Sequence, residues 1–393
     1  MHAYSAFMIP TATLIAGVPS DNMTLFHRVR FAAHDPAALI VGPDGAKTLI
    51  VRDVELERVR RLQGFDHFHK YEDFEPEGGL ASERAIKAAQ SFTECLRRMG
   101  VQRVISDRSL ALLYVEELIR AGIEVSCDHD LGTADRRSKT PEEIEHLRHA
   151  TRVTEAAMEL ACTTIARADV GADGVLQLGG ETLTAERVRG MVITKLAENG
   201  AIVDAVIVSG GPQGADCHNA GTGPLRTCEP VIVDIFPKVL ASGYHGDCTR
   251  CVVHGEIPDA VRAMHATVKQ AKAACIAAIR EGVTADAAHA ETIRVITGAG
   301  YTKGFPDRPI PESGPPTGFC SMQHGTGHGL GLELKEPPLV DVGGPMFVAG
   351  DAVTIEPGLY APGLGGIRLE DLIIVTASGS ENLNSLHEEL DWR

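Results

Sequence analysis

The sequence predicts an α+β protein of two domains, a smaller α/β domain over residues 1–137 and a larger α+β domain over residues 138–393. The 393 residues are enough for two or three domains of about 150 residues each. Short apolar runs alternate with helical stretches in the first third, whereas helix pairs followed by groups of strands fill the remainder. A polar stretch of linker composition, residues 135–140, separates the two patterns.

The first domain begins with an apolar segment, Ala6–Val18, which we interpret as a β-strand. No Lys or Arg precedes this segment and Pro10 interrupts it, so it does not match a secretory signal peptide. The elements predicted after it are strands at Ala37–Val41 and Thr48–Val51 and amphipathic helices at Ala81–Met99 and Leu110–Ala121.

The second domain opens with a clear helix start. Thr140 can cap the helix, Pro141 fits its first turn, and Glu143 completes a T-x-x-E capping box. The elements expected from there are a helix to about Ala166, a helix at Thr184–Glu198, strands at Ile202–Ser209, Val231–Phe236 and Tyr244–Val253, helices at Asp259–Arg280 and Ala285–Gly298, and further strands to Thr376. Two helix pairs therefore each precede strands, which indicates a topological duplication.

Composition narrows the class of partner. The 37 Lys and Arg residues against 53 Asp and Glu residues give a net charge of -16, so the average field repels nucleic acid. Nine scattered cysteines in a chain of this size indicate reduced thiols, and we expect a cytoplasmic protein. No run approaches 18 apolar residues, which argues against a membrane span.

Carboxylates at strand ends are the strongest chemical signal. Asp234 continues the apolar run Val231–Val233 and Glu356 continues Val353–Ile355, where an unpaired charge would cost several kcal/mol. Asp247 follows Asp234 by 13 residues, so an antiparallel hairpin can make these two aspartates cross-strand neighbours. Glu370 follows Glu356 by 14 residues and can pair in the same way.

Charge balance indicates what neutralises this group. Four carboxylates carry a charge of -4, which two divalent cations would balance, and two metals about 3.5–4 Å apart are a known hydrolytic device. The histidine-rich run His324–His328 supplies a potential nitrogen ligand in the same strand-rich region.

Four motifs in this order resemble the pita-bread metallopeptidases, which include methionine aminopeptidase, prolidase and aminopeptidase P. The resemblance covers about residues 138–393, and its motifs are Asp234 with Gly243–Arg250, His324–Gly331, Ile355–Gly358 and Gly366–Asp371. It implies a pita-bread catalytic domain behind a creatinase-type N-terminal domain, and a metal-ligand set of Asp234, Asp247, His328, Glu356 and Glu370.

The same resemblance implies roles for other side chains. Glu356 would also handle the proton of the attacking water, and His218 would hold substrate near the scissile bond. His324 resembles the additional histidine of prolidase and aminopeptidase P, which together with the N-terminal domain indicates the proline-handling branch. Arg368 would bind substrate or balance the carboxylates, while His218 as a capped loop residue and His324 as a packing residue are the structural alternatives.

Lys335 is the main departure from the family pattern. The family commonly has a second histidine seven residues after the ligand histidine, and this chain has Lys335 before Glu336 and Pro337. A lysine there can bind a substrate carboxylate or a developing oxyanion, or it can pair with Glu333 or Glu336 at the surface.

These observations lead to one expectation and two alternatives. We expect hydrolysis of Xaa-Pro bonds in dipeptides or short peptides by a cytoplasmic homodimer with two divalent ions. Manganese is favoured because the site is oxygen-rich, although such a site would also accept cobalt, zinc or iron. The alternatives are a pita-bread hydrolase or lyase with another substrate and a non-catalytic peptide-binding member of the fold.

Overall fold

The computed structural model describes residues 9–305 and 318–393, which form two compact units, the first ending at Arg136 and the second beginning at Arg137. The first unit contains these helices and strands: β1 Thr11–Gly17, α1 Met23–Val29, β2 Ala37–Val41, β3 Lys47–Val51, α2 Leu56–Val59, β4 His67–Lys70, α3 Arg84–Arg98, β5 Arg103–Ser106, α4 Leu112–Arg120 and β6 Glu124–Cys127. A short helix, α5 (Ala134–Arg137), spans the boundary between the units.

The first unit is built on one six-stranded mixed sheet with the strand order β4-β3-β2-β1-β5-β6. Side chains alternate across it: Leu14 and Ile40 pack on one face with Phe92 of α3, and Ile15 and Leu39 pack on the other. Both faces are therefore covered, as expected of an α/β unit. Strand β1 begins later than the predicted segment, whose residues 6–8 lie outside the described residues.

The second unit begins at the predicted capping box. Thr140 accepts a hydrogen bond from the Glu143 backbone and Glu143 returns one to the Thr140 backbone, at the start of a 26-residue helix. The helices of this unit are α6 Pro141–Ala166, α7 Ala185–Glu198, α8 Asp259–Ala278 and α9 Ala285–Gly298. The sequence thus predicted the α9 boundaries and the start of α6 correctly.

The described strands of the second unit are short. The first of them are β7 Asp169–Val170, β8 Leu176–Leu178, β9 Glu181–Thr182, β10 Ala201–Ile202, β11 Val206–Gly210, β12 Pro230–Ile235, β13 Lys238–Val239 and β14 Cys248–Val253. The remaining ones are β15 Thr302–Lys303, β16 Ser321–Met322, β17 Gly327–Gly329, β18 Glu336–Val340, β19 Ala352–Ile355, β20 Gly358–Ala361, β21 Gly365–Arg368, β22 Asp371–Val375 and β23 Ser380–Asn382. These described strands form five sheets with the orders β7-β8-β9, β10-β13, β11-β12-β14, β15-β16-β20-β21 and β18-β17-β19-β22-β23.

Each helix pair of this unit packs on its own strands. Helices α6 and α7 share a core with β11, β12 and β14, whereas α8 and α9 share cores with β19 to β22. Two predicted strands were too long: residues 201–210 form two short strands, and β14 begins at Cys248 rather than Tyr244. Among residues 9–305 and 318–393, no helix combines the length and apolar character needed to cross a membrane.

Candidate metal centre

Asp234 and Asp247 lie on one face of an antiparallel strand pair. In the β12–β14 ladder Asp234 is opposite Thr249, and Asp247 lies two residues before Thr249. Because side chains alternate along a strand, the two aspartates face the same way. They are diagonal cross-strand neighbours that face one way, in agreement with the hairpin prediction. Both are buried, Asp234 to 8% exposure and Asp247 to 4%.

Glu356 and Glu370 occupy facing positions between two strand ladders. Strand β19 pairs with β22 and β20 pairs with β21, and the residue pairing continues from the first ladder to the second without a shift. Glu356 and Glu370, which lie between the two ladders, are therefore opposite each other. The Glu370 backbone N–H donates to the carbonyl of Thr249, 3.1 Å away, and its Oε2 accepts from the Thr249 hydroxyl at 2.7 Å. Thr249 therefore joins the glutamate pair to the aspartate pair.

His328 on β17 completes the group. Its Nε2 lies 3.5 Å from Glu356 Oε1 and 3.8 Å from Asp247 Oδ2. Its Nδ1 lies 3.0 Å from the Gly329 carbonyl oxygen, which can only accept, so Nδ1 carries the proton and the Nε2 lone pair faces the carboxylates. This is the tautomer that a metal-binding imidazole requires. Potential ligand atoms of Asp247, His328 and Glu370 lie within 4.8 Å of one another.

The glycines around His328 allow this close approach. A Cβ at Gly327 would lie 1.8 Å from the Thr354 carbonyl oxygen, and one at Gly329 would lie 2.3 Å from the Glu336 carbonyl oxygen. Strand β17 can therefore pack between its neighbours only with glycine at these positions. The glycine-rich run thus fixes where the imidazole of His328 lies.

The carboxylates repel one another strongly. Burial, together with the charges of Glu356 and Asp234, raises the pKa of Glu370 to about 8. Burial is also the main cause that raises the pKa of Glu356 to about 7, and it places the pKa of Asp247 well above its usual range. Positive charge inside this cluster would relieve the repulsion.

One oxygen in the cluster lacks a partner. Asp234 Oδ2 accepts from Arg368 Nη2 at 2.6 Å, whereas the buried Oδ1 has no hydrogen-bond partner among the described residues. Buried polar atoms without partners are rare and call for an explanation. Four carboxylates and one imidazole form a donor set that fits divalent cations such as Mn²⁺, and such a cation would satisfy this oxygen.

Arg368 is the start of a hydrogen-bond chain that sequence reasoning missed. Arg368 Nη1 donates to the hydroxyl of Tyr360 at 2.9 Å, and that hydroxyl lies 2.6 Å from His324 Nε2. His324 Nδ1 lies 2.8 Å from the Gly325 carbonyl oxygen, so Nε2 is the acceptor and Tyr360 donates to it. Burial lowers the pKa of His324 to about 3, which keeps the ring neutral. Both of its nitrogens are therefore engaged within the protein.

All the predicted site residues meet at one cavity of about 300 Å³. Its lining includes Asp234, Asp247, His328, Glu356, Glu370, His218, His324, Lys335 and Arg368. Sequence reasoning did not find the apolar wall of Ile207, Phe236, Leu334 and Leu339, because apolar side chains in strands and loops carry no chemical signature.

His218 and Lys335 lie on the more exposed part of this lining. The His218 backbone N–H donates to Asp216 Oδ1 at 3.0 Å, which fixes the loop while leaving the ring exposed. Burial is the main cause that raises the pKa of Glu356 and lowers the pKa of His328; the charge of Lys335 opposes the first shift and adds to the second. Glu336 is buried and accepts from Lys139 Nζ at 2.6 Å.

Known proteins resemble this chain in sequence and fold. A probable dipeptidase PepE from Mycobacterium tuberculosis is 36% identical over 197 residues, which are 50% of this chain and 48% of that protein. The chain thus matches about half the length of this relative. An Xaa-Pro dipeptidase from Pyrococcus horikoshii is 26% identical over 324 residues, covering 82% of this chain and 83% of that protein.

A solved structure shows the same fold. The Xaa-Pro dipeptidase from Bacillus anthracis superposes with a TM-score of 0.76 and 22% identity, covering 96% of this chain and 94% of that one. The predicted α+β fold with a pita-bread domain is confirmed by this likeness. Residues 145–377 match the model of metallopeptidase family M24. The chain therefore belongs to metallopeptidase family M24.

Proposed function

We propose that this protein is a metal-dependent peptidase that hydrolyses Xaa-Pro bonds in dipeptides or short peptides with two divalent ions. The observation that carries the proposal is the convergence of four carboxylates, three of them buried, and one buried imidazole on a single cavity. The raised pKa values of Glu370 and Glu356 fit a site made for cations, as does the absence of a hydrogen-bond partner for Asp234 Oδ1 among the described residues. The names of the relatives, dipeptidase and Xaa-Pro dipeptidase, support the substrate class.

Asp234, Asp247, His328, Glu356 and Glu370 would hold the ions. When bound, two divalent ions would activate water and polarise the scissile carbonyl. Thr249 and Arg368 orient this set, because Thr249 donates to Glu370 and Arg368 donates to Asp234. The bond from Arg368 leaves Asp234 Oδ1 without a hydrogen-bond partner among the described residues, so this oxygen can bind a cation.

Glu356 is suited to proton transfer. Burial raises its pKa to about 7, which is near the value at which a carboxyl group both accepts and releases a proton at neutral pH. We assign it the proton of the attacking water and its delivery to the departing proline nitrogen. His218, exposed on the cavity lining, would donate a hydrogen bond to the substrate carbonyl as negative charge develops there.

Lys335 and the apolar wall would recognise the substrate. A cavity of about 300 Å³ lies at the small end of ligand-site volumes, which favours short peptides. Ile207, Phe236 and Leu339 offer apolar contact for a proline ring. The ammonium of Lys335 would pair with the C-terminal carboxylate of a dipeptide, and Arg368, whose guanidinium is already engaged, would act by holding Asp234 and Tyr360.

A hydrolysis screen tests this function. Xaa-Pro dipeptides, Xaa-Pro-Xaa tripeptides and matched Xaa-Ala controls are incubated with metal-free protein and then with added Mn²⁺, Co²⁺, Zn²⁺ or Fe²⁺. We expect cleavage of proline substrates that depends on metal and is greatest with Mn²⁺. Cleavage of the alanine controls alone would indicate another peptidase specificity, and binding of two ions without any cleavage would indicate a peptide-binding member of the fold.

Two further features belong to the proposal. We infer a cytoplasmic location from the composition and the free cysteines, and a homodimer from the resemblance to the prolidase branch. Size-exclusion chromatography with light scattering would report the mass in solution, and a mass near 84 kDa, twice the 41.9 kDa of the chain, is the expected result.

A further inference from the structure

A polar cluster that the proposed chemistry does not use lies beside the ligand-bearing strand β17. It consists of His289 on α9, Thr326 immediately before β17, and Asp341 immediately after β18. His289 Nδ1 lies 2.8 Å from Thr326 Oγ1, and His289 Nε2 lies 3.4 Å from Asp341 Oδ1. His289 and Thr326 are buried, whereas the Asp341 side chain is 43% exposed and lines the cavity. The imidazole thus connects the protein interior to the cavity wall.

The proton positions in this cluster follow from its chemistry. Burial lowers the pKa of His289, so the ring is neutral at neutral pH and carries one N–H. An ionised carboxylate can only accept, so the proton lies on Nε2, towards Asp341. Nδ1 is then the acceptor, and the Thr326 hydroxyl donates to it.

The backbone of Thr326 is hydrogen-bonded to one proposed metal ligand, Glu356, and lies two residues before another, His328. Its N–H donates to the Val340 carbonyl at 2.8 Å, and its carbonyl accepts from the Glu356 N–H at 2.7 Å. His328 follows two residues later on β17. A displacement of Thr326 would therefore shift the backbones of Glu356 and His328 together.

The surrounding glycines leave this segment little room to adjust. A Cβ at Gly325 would lie 2.8 Å from Asp341 Oδ2, and a Cβ at Gly327 would lie 1.8 Å from the Thr354 carbonyl oxygen. The Gly327 contact is with backbone, which cannot give way, whereas the Gly325 contact is with the Asp341 side chain. On the side of the helix, the hydrogen bond between the Thr326 hydroxyl and His289 links the segment to α9 and fixes the distance between them.

We propose that His289 is a positioning residue for the metal site, which acts through Thr326 to fix the backbone from which His328 and Glu356 reach their ligand positions. This inference rests on the proposed function, since it requires these two side chains to bind metal. Partners of this kind, which orient ligands without touching the ion, commonly change metal affinity by 10- to 100-fold.

The test measures Mn²⁺ binding to metal-free protein by isothermal titration calorimetry. Thr326→Val keeps the side-chain shape but removes the donor, and His289→Leu removes the acceptor. We expect each to raise the Kd for Mn²⁺ by roughly tenfold. Thr326→Ser keeps the hydroxyl, and His289→Asn places an amide near the former Nδ1, so both should stay within about threefold of the parent.

A matched control separates positioning from general damage to the helix packing. Thr292 lies on the same helix three residues after His289, is fully buried, and its hydroxyl has no hydrogen-bond partner among the described residues. Thr292→Val should leave the Kd for Mn²⁺ unchanged, whatever it does to stability. If Thr326→Val does not fold, His289→Gln, whose amide reaches towards Asp341 rather than Thr326, should still raise the Kd while His289→Asn does not.

The outcomes are distinct. Suppose that the parent binds Mn²⁺ and that the Thr326→Val and His289→Leu variants bind it equally well; the positioning role of His289 is then wrong while the proposed function stands. If one of these two variants does not fold, His289→Gln takes its place in this comparison. If the folded parent binds no divalent ion, the proposed function is wrong and the positioning role falls with it. A loss of affinity in Thr292→Val equal to that in Thr326→Val would also overturn the inference.

Discussion

Replacing Glu370 with glutamine should make the metal-free protein more stable and greatly reduce its stabilisation by metal. Glu370 is 2% exposed, and burial and repulsion raise the pKa of its carboxyl group to about 8. In the unfolded chain the same group ionises near pH 4, at about 4.3. The folded metal-free protein therefore holds a proton that the unfolded chain releases over this interval.

The sign of the pH dependence follows from that difference. Because Glu370 binds its proton more tightly in the folded state, its contribution to the free energy of unfolding is greatest below about pH 4 and falls as the pH rises towards 8. Each pKa unit corresponds to about 1.4 kcal/mol, so the whole interval is worth on the order of 5 kcal/mol in metal-free protein. Glu356, with its pKa raised to about 7, adds to the same loss.

Glu370→Gln removes this charge while keeping the shape of the side chain. At pH 8 we expect the free energy of unfolding of the metal-free variant to exceed that of the metal-free parent by on the order of 2 kcal/mol. The difference is smaller than the full effect of the charge because burying an amide also costs free energy. With Mn²⁺ at about 100 times its Kd, the parent should gain about 2.7 kcal/mol. The variant, which lacks one ligand charge, should gain less than about 1 kcal/mol at the same concentration.

Urea unfolding followed by tryptophan fluorescence measures both effects. The single tryptophan, Trp392, is 5% exposed and donates to the Cys251 carbonyl, so it reports on the second unit. Glu291→Gln, which alters an exposed ion pair with Arg294, is the control and should change the free energy of unfolding by less than about 0.5 kcal/mol. A metal-free Glu370→Gln protein less stable than the parent at pH 8, or one stabilised by Mn²⁺ as much as the parent, would refute the reasoning.

Two further predictions concern the cavity lining. Lys335→Ala should lower kcat/KM for Xaa-Pro dipeptides roughly tenfold, with no change in metal content. The control, Lys269→Ala, removes an exposed lysine and should have no effect. Equal dipeptide kinetics in the two variants would show that Lys335 does not bind substrate. Tyr360→Phe should lower the free energy of unfolding by about 1–3 kcal/mol, since it leaves His324 Nε2 buried without a donor. An unchanged urea midpoint for Tyr360→Phe would show that the chain from Arg368 to His324 is not important for stability.

Local signals predicted much of the fold. The capping box at Thr140 marks the start of α6 because its side chain and that of Glu143 satisfy each other's backbone groups. The Tyr244–Val253 strand was predicted too long because Tyr244 is apolar enough to extend the pattern. Its hydroxyl instead donates to Glu143 Oε1 at 2.6 Å, so the ring packs against α6 outside any ladder. Such a long-range contact has no local signature.

The candidate site likewise contains residues that the sequence predicted and residues that it could not predict. Charged residues at the ends of apolar strands, such as Asp234 and Glu356, were visible because burial of a charge needs an explanation. Tyr360 was not, since an aromatic residue in a strand matches an ordinary core position. His289 sits at a buried position of an amphipathic helix, and only the packing of α9 against the segment before β17 brings it to Thr326.

The number of metal ions that support activity is the most direct test of the central claim. Metal-free protein is titrated with Mn²⁺ while the hydrolysis of an Xaa-Pro dipeptide and the bound metal are measured in the same samples. Four carboxylates balanced by two divalent ions predict that activity rises with bound metal and stops rising at two ions per chain. Full activity without metal, or a plateau at one ion per chain, would contradict the proposed two-metal site.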